Sequence, residues 1–133
     1  MKLICVYGAV NDKIDDKFKQ AGIELGKKIA EENYGLVYSG MKGGISGAVA
    51  KGVASVDNIP IIGVMPEFFR KTKVNEMFEG CTEKIFTDNI SKRKEVMKEK
   101  SDAIIVAPGG VGTFDELFDA ICTKGWGLMD KPI

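Results

Sequence analysis

The sequence predicts an α/β fold, a Rossmann-like layout in which a mostly parallel sheet carries helices on both faces. Two observations predict it. Short apolar runs alternate with segments of helical period from end to end, and glycine-rich turns stand where apolar runs hand over to helices. Such alternation demands crossover connections and therefore a parallel sheet.

Lys2 to Tyr7 is a short apolar run stopped by Gly8, as expected of a buried strand. Ile14, Phe18, Ala21, Leu25 and Ile29 recur at spacings of four and three, which predicts an amphipathic helix ending near Asn33 to Gly35. Leu36 to Tyr38 is the next strand, Gly40 to Gly47 a glycine-rich turn, and Ile45 to Val56 a small-residue helix able to pack close to a sheet. Pro60 to Met65 is a third apolar run closed by Pro66, whereas Glu67 to Gly80 has no clean period. A weak strand follows at Glu83 to Phe86, then a helix from about Asn89 to Lys100 and a strong strand at Ala103 to Ala107. Phe114, Leu117, Phe118 and Ile121 mark a last amphipathic helix. Lys131-Pro132-Ile133 resembles the approach to a further strand, as if the fold were truncated there or completed by a partner chain.

The 133 residues fit one domain, 1–133, with no repeat, linker or low-complexity segment. The balance of 19 basic and 19 acidic residues argues against a nucleic-acid polymer as partner, which would call for a basic excess. Leu3 to Val6 is too short for a signal peptide or membrane span. Three widely spaced cysteines, Cys5, Cys81 and Cys122, form no CxxC pair and read as free thiols. A cytoplasmic protein with no membrane association is expected. The chain contains no histidine. No Ser-His-Asp or Cys-His arrangement can exist, and the sequence suggests no metal and no cofactor. Acid–base work must fall to carboxylates, lysine, tyrosine or water.

Pro108-Gly-Gly-Val-Gly-Thr113 lies between a strand and a helix taken to start at Thr113. Ligands of open parallel sheets sit beyond the carboxyl ends of the strands. Gly109, Gly110 and Gly112 let the backbone come close to a ligand, and free amides at a helix start favour a phosphate. The plainer alternative is a tight turn without a ligand. The spacing is neither GxGxxG nor GxxxxGK[ST], which tells against a dinucleotide or an ATPase site. Thr113-Phe-Asp-Glu116 fits a capping box, with Glu116 reaching back to an amide; the rival is a carboxylate placed beside a phosphate cradle for catalysis. At about 100° per residue, Arg93 falls between Val96 and Met97, on an apolar stripe completed by Ile90. A guanidinium there either meets an anion or lies flat with its head in water. Lys94 lies on the flank of that stripe.

Pro108-Gly-Gly-Val-Gly-Thr-Phe-Asp-Glu116 resembles the PGGxGTxxE signature of the Lonely Guy (LOG) family, and Arg93-Lys94 resembles its RK pair. Those proteins are cytokinin riboside 5′-monophosphate phosphoribohydrolases, often mislabelled lysine decarboxylases. Ile4-Cys-Val-Tyr-Gly8, Gly35-Leu-Val-Tyr38, Gly63-Val-Met-Pro-Glu-Phe68 and Lys131-Pro132 extend the resemblance across the chain in one register. It implies a homodimer that cleaves the N-glycosidic bond of a nucleoside 5′-monophosphate to free base and ribose 5-phosphate. Arg93 and Glu116 would be catalytic, while Lys94 and the loop residues Gly109, Gly110, Val111, Gly112, Thr113 and Asp115 would bind the nucleotide. The chain departs from the family at Ser39-Gly-Met-Lys-Gly-Gly-Ile-Ser-Gly47, at Ile90-Ser91 and at Cys122, which leaves the base open between a cytokinin precursor and AMP. The rival class is a non-catalytic module that binds or senses a nucleotide; Arg93 with Glu116 favours the enzyme. A pyridoxal-dependent decarboxylase normally needs a Schiff-base lysine and a histidine over the ring; the chain lacks histidine and shows no lysine in an evident strand-end pocket.

Overall fold

A computed structural model describes residues 1–133. Strands β1 (Leu3–Tyr7), β2 (Gly35–Tyr38), β3 (Ile61–Pro66), β4 (Glu83–Thr87) and β5 (Ala103–Val106) form one sheet in the order β4-β3-β2-β1-β5. Every neighbouring pair is parallel. The helices are α1 (Asp16–Glu31), α2 (Gly44–Ala54), the single turn α3 (Phe69–Thr72), α4 (Ile90–Lys100) and α5 (Val111–Gly125). The expected α/β architecture is therefore present.

Chain direction explains the layers. From β1 to β4 the chain steps one way across the sheet, so right-handed crossovers place α1 and α2 on one face. The connection through α4 runs back to the far side of β1, so α4 and α5 cover the other face. Strand alternation feeds both layers. Val6, Leu36, Tyr38 and Ile61 pack with Ile29, Val49 and Val53, and Cys5, Tyr7, Val37, Ile62 and Val64 pack with Met97 and Ala120.

Three helix faces differ from the sequence expectation. On α1 the buried residues are Gly22, Gly26, Ile29 and Ala30, while Phe18 and Ala21 are exposed. Hydropathy counts pass over glycine, yet here glycine makes the contact. A Cβ on Gly26 would stand 2.0 Å from the Val49 carbonyl oxygen, and one on Gly52 2.2 Å from that of Ile23, so α1 and α2 meet backbone to backbone. On α4, Met97 is fully buried and Val96 half-buried, but Ile90 is exposed. On α5 the helix begins at Val111 rather than Thr113, and its buried face is Thr113, Glu116 and Ala120. Phe114, Phe118 and Ile121 point outward, with the two phenylalanine rings stacked at 6.3 Å. The Pro132 carbonyl accepts from the Ile104 amide at 2.9 Å, so the last residues run beside the outer edge of β5. No helix is long and apolar enough to cross a membrane.

The glycine contacts set an expectation. Gly26→Ala gains at most about 1 kcal/mol of helix propensity but drives a methyl into α2 backbone that cannot rotate away. A net loss of about 3 kcal/mol is expected in urea denaturation. Gly112→Ala, whose added Cβ would meet nothing within 4 Å, should leave stability unchanged or slightly higher.

Candidate active site

β1 and β5 are neighbours whose following connections diverge, and the crevice at such a switch point is where an open parallel sheet binds ligands. The loop after β1 (8–15) and the loop after β5 (107–110) are tied together there. The Ala107 amide donates to the Tyr7 carbonyl at 2.8 Å and the Ala9 amide to the Pro108 carbonyl at 3.0 Å. The start of α2 closes the third side: the Ser46 amide donates to the Ala9 carbonyl at 3.1 Å, and its hydroxyl to the Gly8 carbonyl at 2.9 Å. Between them lies a cavity of about 860 Å³, ample for a nucleotide-sized ligand.

The glycine loop forms one wall. In the first turn of a helix the amides have no intrahelical acceptor, and those of Gly109 to Thr113 donate to no carbonyl in the turns and caps of the chain. Gly109 is required by the fold, since a Cβ there would lie 2.0 Å from Thr113 Oγ1. Gly110 and Gly112 are not: an added Cβ would meet open space at either. Their bareness leaves room on the cavity side. The start of α2, by contrast, is already served by an acid of its own chain. Asp12 Oδ1 accepts from the Gly44 amide at 3.2 Å and pairs with Lys19 at 3.1 Å, and these two contacts hold its carboxyl below the usual range.

Glu116 sits in the second turn of α5, 7% exposed, and lines the cavity. The capping box is absent: the N-cap is Gly110, without a side-chain bond, and Glu116 Oε2 has no hydrogen-bond partner. Burial pushes its pKa up to about 7, against the pull of Arg93 and Lys94 and with the push of Asp115 and Asp119. Arg93 is half-buried and lines the same cavity. It makes no ion pair with any acid, and its Nε is buried and unpartnered. Five buried side-chain polar atoms in the protein lack a hydrogen-bond partner, and four of them belong to residues that line this one cavity, Tyr7, Ser39, Arg93 and Glu116. The fifth, Asp119 Oδ2, lies 2.6 Å from Lys98 Nζ and is served electrostatically. Orphaned polar groups concentrated in one place mark a site built for a polar ligand.

Of the sequence-nominated residues, the cavity collects Arg93, Glu116, Gly110, Gly112 and Thr113. It does not collect Lys94 and Asp115, which pair with each other at 3.0 Å outside its lining, nor Gly109 and Val111. Sequence reasoning missed Tyr7, Ser39 and Ser46, and the exposed lysines Lys13, Lys42, Lys51 and Lys73. Those lysines correct the expectation that no lysine stands at a strand-end pocket. The signal was available: the switch-point rule applies to the residues after every strand, not only after β5.

The architecture and the paired motifs now meet their relatives. A family model described as "Possible lysine decarboxylase" matches residues 46–133. A cytokinin riboside 5′-monophosphate phosphoribohydrolase of Mycobacterium tuberculosis is 39% identical over 130 residues, 98% of this chain and 67% of that protein. A protein so named from Arabidopsis thaliana is 32% identical over 99% of this chain and 61% of its own length. A probable one from Oryza sativa subsp. japonica is also 32% identical, over 98% of this chain and 51% of its length. The chain thus spans about half to two thirds of the curated relatives it matches. Among solved structures, the molybdenum cofactor carrier protein of Chlamydomonas reinhardtii superposes with a TM-score of 0.78 at 24% identity, over 92% of this chain and 72% of that one; this likeness concerns the fold. With the signature, the RK pair, a family model over residues 46–133 and a relative 39% identical over 98% of this chain, the chain belongs to the Lonely Guy (LOG) family.

Proposed function

We propose that residues 1–133 form one nucleotide-binding unit that hydrolyses the N-glycosidic bond of a nucleoside 5′-monophosphate, a cytokinin riboside 5′-monophosphate or AMP, releasing free base and ribose 5-phosphate. The observation that carries the proposal is the sharing of one cavity by a row of uncommitted amides, an unpaired guanidinium and a buried carboxyl titrating near neutrality. The named activity of the relatives supports it.

In this account the phosphate lies on the amides of the glycine loop, with Gly110, Gly112 and Thr113 as its cradle and the helix start supplying partial positive charge. Arg93 adds a full charge and directional donors. Having no carboxylate partner, it is free for the phosphate, so of its two possible roles, phosphate clamp and orienter of Glu116, the first is preferred. Lys94 and Asp115 act one layer out, as a pair that fixes α4 against α5. Glu116 faces the sugar, where its carboxylate stabilises the oxocarbenium-like transition state and takes a proton from the attacking water. A pKa near neutrality suits a group that must both accept and release a proton. No step here requires a metal or a cofactor. The decarboxylase description finds less support, because the cavity lysines are exposed rather than desolvated, as a Schiff-base lysine would be.

We place the protein in the cytoplasm, where its three free thiols stay reduced, and assign it a homodimer. The outward stripe of Val111, Phe114, Phe118 and Ile121, continued by Trp126 and Leu128, is an apolar surface for a second copy to cover.

Glu116→Gln should lower the rate of ribose 5-phosphate release from AMP or N6-isopentenyl-AMP by about 10³-fold while nucleotide affinity changes little. Saturable binding by the wild type without product would mean a binding module instead. The same substitution has a stability signature. Glu116 holds its proton more tightly folded than unfolded, so its contribution to stability falls as pH rises from 4.5 toward about 7. Above pH 7 the glutamine variant should therefore be more stable, by on the order of 3 kcal/mol, and the gap should close below pH 4.5. Sedimentation equilibrium should return twice the 14.5 kDa chain mass, and Phe118→Glu should return the single-chain mass.

A further inference from the structure

We infer that the cavity holds a second anion site, formed by Lys13, Lys42 and Lys51, for a nucleotide that carries a negative group besides its 5′-phosphate. The inference rests on the reading above, in which the 5′-phosphate lies on the glycine loop, and it narrows the substrate class.

The charges of the cavity do not balance. Its acids are Asp12, Glu76 and Glu116. Asp12 is paired with Lys19 at 3.1 Å and Glu76 with Lys73 at 3.4 Å. Glu116, its pKa pushed up to about 7 by burial, carries only part of a charge at neutral pH. Lys13, Lys42 and Lys51 line the same cavity, are exposed, and have no ion-pair partner. Basic and acidic residues number 19 each over the whole chain, so this surplus is local. A concave surface of one sign concentrates its field in the cleft and draws the opposite charge.

The backbone brings the three lysines to one corner. A Cβ on Gly43 would stand 2.7 Å from the Val10 carbonyl oxygen and 3.7 Å from Asp12 Cβ, and Asp12 accepts from the Gly44 amide at 3.2 Å. Lys42 precedes Gly43 and Lys13 follows Asp12, so the two spring from segments in contact. The Lys42 amide donates to the Glu76 carbonyl at 2.8 Å, which fixes where its side chain starts. Lys51 lies two turns along α2, where side chains lean toward the helix start. The Gly44 amide and Lys19 lower the Asp12 carboxyl most, and the Lys51 charge adds to them, so Lys51 stands within electrostatic reach of this corner.

Sheet order sets the distance from this corner to the glycine loop. Adjacent strands lie about 4.8 Å apart, so the chain leaves β2 about 10 Å from where it leaves β5, with β1 between them. Burial raises the Cys5 thiol of β1 and the Glu116 charge adds to it, so Glu116 stands by the middle strand of the three. A nucleotide with its phosphate at β5 and its sugar at β1 therefore extends toward the lysines. Neighbouring phosphates of a diphosphate share one bridging oxygen and cannot span that distance. The second group is borne on a ribose hydroxyl, as a phosphate, or on the base, as a carboxylate. Lysine suits either, as a point charge on a flexible stem.

Calorimetric titration of the full chain tests this with AMP, adenosine 3′,5′-bisphosphate and N6-(1,2-dicarboxyethyl)-AMP. At about 50 mM salt, where screening is weak, at least one of the two latter nucleotides should bind about tenfold more tightly than AMP. That ratio should shrink toward one at about 0.5 M salt, and also in the double variant Lys13→Gln/Lys42→Gln. A gain for the bisphosphate places the second group on the ribose; a gain for the dicarboxylate places it on the base. No gain for either, or a gain that the double substitution leaves intact, would overturn the inference. The hydrolase reading fails on a different result, which is tight, lysine-dependent binding of these nucleotides with no free base released from any of them.

Discussion

A carboxyl group is held out of water at the mouth of a parallel sheet, with one of its oxygens unserved by any protein donor. Folding normally avoids this arrangement, because an unpartnered buried polar group costs about 1–3 kcal/mol. The chain offsets the cost elsewhere, in a two-sided core and in helices α1 and α2 that meet backbone to backbone. Much else in the site follows from that placement. Raised toward neutrality, the carboxyl can exchange a proton near pH 7; it shares its cavity with an unpaired Arg93 and with residues of the glycine loop, both of positive or partial positive charge.

The sheet order makes the placement possible. Because β5 returns to the far side of β1, the loops after both strands diverge and leave a crevice at the switch. Parallel register then fixes the depth of each contributor. Tyr7 ends β1, Ser39 follows β2, and four residues separate β5 from α5. Distant segments are brought together by the sheet topology, and all three cysteines are free of disulfides.

The sheet and the crossing pattern were legible because alternating apolar runs have few other solutions; each predicted strand lies within about one residue of its observed limits. The glycine loop and Arg93 were legible because glycine beside a strand end and arginine within an apolar stripe are both costly without a reason. Helix faces were less legible. On α1 the packing runs through Gly22 and Gly26, which a hydropathy pattern does not register, and on α5 the apolar stripe faces outward while Glu116 faces in. α5 carries apolar residues on its exposed face as well as its buried one, so its hydropathy pattern does not mark which side meets the core. Tyr7 stayed hidden because a tyrosine in a buried strand reads as core, and only coordinates reveal that its hydroxyl lacks a partner. The exposed lysines were passed over because lysine in a loop or on a helix surface is ordinary.

A crystal structure with ribose 5-phosphate bound tests the central claim most directly. The account predicts the phosphate within hydrogen-bonding distance of the amides between Gly110 and Thr113 and of Arg93, with the anomeric carbon facing Glu116. A phosphate lodged instead among Lys13, Lys42 and Lys51, with the sugar turned away from Glu116, would contradict it.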